Sequence, residues 1–98
     1  LWVTWGKTMQ IEDLVWDETN IEHLADHQVT PDEVAEAIWD NPWAERRRGQ
    51  QRYHVYGQTA GGRYLFIVLD KEYDSIFYPV TARDMTDHEK GYYRQRRR

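Results

Sequence analysis

The chain has no cysteine at all. That excludes a disulfide framework and thiolate metal sites, and it fits a reducing compartment, so a cytoplasmic protein is expected. Serine occurs once, as Ser75, which leaves Ser–His–Asp chemistry almost nothing to draw on. No apolar run approaches the roughly 20 residues that span a bilayer. No stretch carries a signal-peptide pattern, and no membrane partner is expected. Proline and glycine are sparse, three and six residues, so each marks a definite place in the chain.

What is present is aromatic and charged. Ninety-eight residues with 40% hydrophobic content make one domain with one core. Five Trp and seven Tyr put much of the apolar surface into a few large side chains. Residues 1–13 read as a leader or a weakly structured start, with Met9 a candidate natural beginning; the domain proper spans residues 14–94. The net charge of −4 hides a division. Residues 1–45 hold eleven acids against Lys7, a net of −10, and residues 46–98 hold twelve bases against six acids, a net of +6. Such asymmetry suggests a polyanion site on the basic half. The alternative is that the halves neutralise each other across the fold.

Residues 52–70 organise the rest. They read as two strands joined at Ala60-Gly61-Gly62, a hairpin turn in which glycine supplies positive φ. It is not a phosphate loop, for no Lys-Ser/Thr ending or helix follows. In the first strand Arg52, His54, Tyr56 and Gln58 share one face, and Tyr53, Val55, Gly57 and Thr59 the other. The second, residues 64–69, is six apolar residues in a row and suits a strand buried on both faces.

Two helices precede them. Asp17 caps the first, whose stripe is Ile21, Leu24 and Ala25, and which ends near His27-Gln28. Thr30, Pro31 and Glu33 form a capping box opening the second, with Val34, Ala35 and Ile38 buried and Asn41-Pro42 as its stop. Residues 43–48 suit a strand, 71–74 a polar turn, and 75–82 a last strand, at an edge or bulged because Pro79 lacks a ladder donor. Thr86 and Glu89 cap a final helix with a basic end, weakened by Gly91 and thin in apolar residues. The order is ααββββα: an α+β fold of two N-terminal helices, a four-stranded antiparallel sheet and a C-terminal helix.

RNA cleavage without a metal needs a base for the 2′-hydroxyl, an acid for the 5′-oxygen, and cations for the phosphate between them. Histidine suits either proton role, and the guanidinium fork matches two phosphate oxygens. His54 with Arg52, Arg83 and Tyr93 is a minimal set; a solvated strand face is the plain alternative. His23 and His27, four apart on one helical face, have a spacing that could hold zinc, but HExxH is absent and no third ligand follows, so no metal is expected. Arg46, Arg47, Arg48 and Arg94 are candidate RNA contacts, with aromatics nearby on which bases can stack. In so small a domain those aromatics are first of all core, and Tyr93 stays open between the two roles.

The order of motifs resembles the BrnT family of bacterial and archaeal toxins. The matching pieces are Trp16-Asp17, His27, the helix over residues 30–37, Arg52-Tyr53, Gly57, Gly62-Arg63, Ala82-Arg83, and Thr86, Glu89 and Tyr93. They span about residues 14–94. The resemblance implies a RelE-like fold and a metal-independent endoribonuclease. It implies a toxin neutralised by a small DNA-binding antitoxin, expected to be of ribbon-helix-helix type. His27, Arg52, Arg83 and Tyr93 fall on family positions; His54 comes from strand geometry alone. The chain departs from the family at Asn20, Asp26, Gln28 and residues 78–81. Three usual basic positions are lost there. A catalytically weak or inactive module that binds a partner protein or RNA is the alternative expectation.

Overall fold

The computed structural model describes residues 2–4, 8–47 and 51–97. It is an α+β fold. Three short strands, β1 (Trp2–Thr4), β2 (Thr8–Gln10) and β3 (Asp13–Leu14), precede helices α1 (Glu18–Asp26) and α2 (Pro31–Trp39). Four strands follow, β4 (Trp43–Arg46), β5 (Arg52–Gln58), β6 (Tyr64–Tyr73) and β7 (Ile76–Asp84), and then α3 (Asp87–Arg96).

The sheet corrects the expectation of four antiparallel strands. Among the described residues it has seven, in the order β2-β1-β4-β5-β6-β7-β3. The four long ones are antiparallel neighbours, as expected. Parallel pairing enters at both sides, β1 on β4 and β3 on β7. The leading strands escape sequence reading because two or three residues carry no usable periodicity. Yet Ile11, between β2 and β3, is wholly buried, so this segment contributes to the core.

The expected helix starts hold. Asp17, Thr30 and Thr86 each close a capping box on the residue three positions later. The buried stripes differ in detail. In α1 the buried residues are Asn20 and Leu24, while Ile21 is 42% exposed. Asn20 is drawn inward by its amide: it accepts from the Asp17 N–H and donates to the Val15 carbonyl, both at 2.9 Å. In α2 Val34, Ala37 and Ile38 are buried; Ala35 is half-buried and Trp39 exposed.

Helices α1 and α2 cover one face of the sheet, over Tyr53, Val55, Leu65, Ile67 and Leu69. The approach is closest at Gly57, where a Cβ would stand 2.4 Å from the Ala37 carbonyl oxygen. Only glycine lets α2 pass there.

Strand β6 is longer than expected. Lys71, Glu72 and Tyr73 continue it, and the turn falls at Asp74-Ser75. Its burial on both faces is also corrected. Leu65, Ile67 and Leu69 are in the core and Val68 is buried on the other face, but Tyr64 and Phe66 beside it are only half-covered. Pro79 sits beside a bulge: Val68 pairs with Thr81 and Leu69 with Pro79, leaving Val80 unpaired. Strand β7 is not the outermost, since β3 pairs with Ile76 and Phe77, but Pro79 lies beyond that cover.

Candidate functional site

The second sheet face carries the site. Along β5 the residues Arg52, His54, Tyr56 and Gln58 alternate with buried ones, which sets all four on this side. Register sets their neighbours. Glu45, His54, Val68 and Thr81 form one row across β4 to β7; Trp43, Tyr56, Phe66 and Arg83 form the next. Arg52, Asp70 and Tyr78 form a third. Arg47 continues the alternation of Trp43 and Glu45, and its N–H donates to the Arg52 carbonyl at 2.7 Å. Thus Arg47, Arg52, His54 and Arg83 share one wall of the sheet.

His54 is the centre of this group. Its ring packs edge-on against Phe66, centroid to centroid 5.0 Å. Burial first, then the nearby Arg47, lowers its pKa from the ordinary value. Glu45, directly opposite on β4, pulls the other way, and Arg52 and Arg83 add to the lowering. The imidazole is therefore uncharged at neutral pH and able to accept a proton.

The arginines are held by carboxylates. Arg52 makes a fork to Asp70, Nε to Oδ1 at 2.7 Å and Nη2 to Oδ2 at 2.9 Å. Arg83 makes another to Glu89 of α3, Nη1 to Oε1 at 2.8 Å and Nη2 to Oε2 at 3.0 Å. Its guanidinium carbon also lies 4.5 Å from the centroid of Phe66. Both cations are fixed in place, and both are partly neutralised. An open concavity of about 540 Å³ begins at Arg52 and runs past Gln51, Asp70, Lys71 and Glu72.

Helix α3 closes the other end of the face. Tyr92 packs on Tyr56 at 5.3 Å and donates its hydroxyl to Glu45, which also accepts from the Trp43 indole N–H at 3.1 Å. Arg96 stacks on Tyr92 at 3.5 Å and Arg94 lies over Tyr64 at 5.1 Å.

Two suggested catalytic residues do not join this group. Tyr93 is fully buried and donates its hydroxyl to the Asn41 carbonyl at 2.9 Å. Burial raises its pKa and no substrate reaches it, so it is a core residue that pins α3 to the end of α2. His27 caps α1, where its carbonyl accepts from Arg63 at 3.2 Å; its exposed side chain belongs to the helical layer, across the sheet from His54. The candidate RNA contacts also divide. Arg47 faces the site and Arg94 stands on α3 beside it. Arg46 pairs with Tyr53 and so shares the helix-covered side. Arg48 lies outside the described residues.

His23 and His27 are both exposed, and the His23 Nδ1 lies 3.4 Å from the carbonyl of Val80, the bulge residue. No group of three or more His, Asp or Glu side chains that could hold a metal occurs among the described residues. Sequence reasoning missed Glu45, Asp70 and Glu89. Strand pairing on the face of His54 could have raised the first two; Glu89 was legible as a cap and as a matching position of the resemblance, not as the partner of Arg83.

No protein-family model matches the chain, and no curated protein matches it significantly in sequence. No helix among the described residues is long and apolar enough to cross a membrane.

Proposed function

We propose that this chain is a metal-independent endoribonuclease, the toxin of a toxin–antitoxin pair, similar in kind to BrnT and to RelE-type ribonucleases. It acts on RNA in the cytoplasm until a DNA-binding antitoxin of ribbon-helix-helix type covers the sheet face. The observation that carries this reading is His54, uncharged near neutral pH, on one wall with Arg47, Arg52 and Arg83. His54 takes the proton of the 2′-hydroxyl. Arg83 turns its remaining N–H groups to the phosphate, whose charge grows as the bond breaks, and Arg52, two rows further along the face, holds the neighbouring stretch of backbone. Expression in bacteria is expected to arrest growth, and co-expression of the neighbouring antitoxin gene to relieve it. His54→Ala or Arg83→Ala, each folded by circular dichroism, should abolish the arrest. Full toxicity in both variants would rule the assignment out.

One observation favours a second reading, a catalytically weak module that binds a protein or RNA partner through the same face. Both arginine forks are already closed on carboxylates, Asp70 and Glu89. A phosphate has to compete with those pairs, and Asn20, Asp26 and Tyr78 stand where the resembling family carries further cations. Harmless expression, with tight binding of a partner and intact RNA, is the outcome that selects this reading.

A further inference from the structure

Cleavage of the kind proposed needs two proton carriers, and His54 is only one. Tyr93 is sealed in the core. Tyr92 has given its hydroxyl to Glu45. A third hydroxyl stands on the same face. Tyr56 lies two residues along β5 from His54 and points to the same side. The two rings flank Phe66, at 5.0 Å from His54 and 5.3 Å from Tyr56, both edge-on. Arg83 is directly opposite Phe66 on β7 and covers that ring at 4.5 Å. The Phe66 ring is thus covered by a cation reaching from β7 and met by two polar rings, two residues apart, reaching from β5. A phosphate drawn to Arg83 would meet His54 and Tyr56 side by side, about 7 Å apart along the strand. In-line displacement needs one proton carrier at each end of the entering and leaving oxygen line, and that strand spacing supplies two such groups.

The phenol of Tyr56 has no hydrogen-bond partner in the protein among the described residues. Charged groups face it from three elements: Glu45 of β4, Arg83 of β7, and Glu89 and Arg96 of α3. Burial first, then the two carboxylates, raises its pKa against the pull of the arginines, so the proton stays on the oxygen at neutral pH.

We propose that Tyr56 is the general acid of this site, protonating the departing 5′-oxygen while His54 deprotonates the 2′-hydroxyl. The 2′-oxygen bonds to phosphorus as its proton passes to the imidazole. The P–O5′ bond breaks, and its electron pair stays on the 5′-oxygen, which takes the phenolic proton. The products are a 2′,3′-cyclic phosphate and a 5′-hydroxyl end. Water then returns a proton to the phenolate and receives one from the imidazolium. This inference rests on the ribonuclease reading of the same face.

The test uses Tyr56→Phe, which keeps the ring contacts with Phe66 and Tyr92. Two substrates are compared with wild-type protein in EDTA: an RNA oligonucleotide, and the same oligonucleotide with a bridging 5′-sulfur at the scissile linkage. A thiolate leaves without needing a proton. The expected result is a loss of about 10²- to 10⁴-fold on the oxygen linkage, the usual worth of a general acid, and no loss on the sulfur linkage. Equal losses on both linkages would make Tyr56 a packing residue and overturn the proposal, as would unchanged cleavage of the oxygen linkage. If wild-type protein cleaves neither substrate, the ribonuclease reading itself falls and takes this one with it.

Discussion

At the scale of single residues, Arg63 does the most for the fold. It donates to Asp84 at 2.6 Å, to Glu33 at 3.1 Å, and to the carbonyls of Gln28 at 2.7 Å and His27 at 3.2 Å. It therefore ties the loop between α1 and α2 to the start of β6 and the end of β7. That loop needs a tie, because Gln28 has a φ of 58°, where glycine would be easier. The Arg63 hydrogen bond holds the Asp84 carboxyl below its ordinary range. Burial pushes Glu33 up, but hydrogen bonds from the Thr30 N–H and Arg63 outweigh it and hold Glu33 low as well. A carboxylate with a depressed folded-state pKa lends stability in full above its unfolded pKa. That stability is lost as the pH falls through the folded value. The unfolding free energy should therefore fall below about pH 4.5, and Arg63→Ala should make the acid fall shallower while lowering the neutral-pH stability by about 1–3 kcal/mol. An unchanged acid slope in the variant would remove Arg63 from this role.

At the scale of elements, α3 is pinned to the rest of the fold by side chains. Tyr93 on Asn41, Arg97 on Gln58 and Glu89 on Arg83 pin it. Its capping box is complete, yet Gly91 lies in its exposed interior with nothing within 4 Å of a Cβ. Gly91→Ala should raise stability by about 0.5–1 kcal/mol in urea unfolding, since it gains helix propensity without a clash. A loss of stability would mean that the α3 surface is covered by something.

The same element separates what was legible from what was not. The cap residues and Pro31 are local signals, so the helix starts were readable. So was the β5 alternation, which placed Arg52, His54 and Tyr56 on one face. The position of α3 over that face depends on tertiary packing, so neither the Tyr92–Glu45 bond nor the Arg83–Glu89 fork could be read beforehand. The exposure of Ile21 was hidden for a similar reason: a buried Asn20 amide, not the apolar stripe, sets how α1 rolls.

At the scale of the molecule, the charge division survives folding. The Arg63–Glu33 pair joins the acidic half to the basic one. Arg52, Arg83 and Lys90 pair with acids of their own half, Asp70, Glu89 and Asp87. The exposed acids Glu18, Glu22, Asp32 and Glu36 stay on the helical layer, behind the sheet from His54. A polyanion is thus repelled from one side and left only the other. On the wall itself Glu45, Asp70 and Glu89 stand against Arg47, Arg52 and Arg83, so the function proposed rests on chemistry at His54. The most direct measurement is cleavage of a defined single-stranded RNA by purified, partner-free protein in excess EDTA, with His54→Ala alongside. The account predicts fragments ending in 2′,3′-cyclic phosphate from the wild-type chain and about a hundredfold less from the variant. Intact RNA with the wild-type chain, or equal cleavage by both, would contradict it.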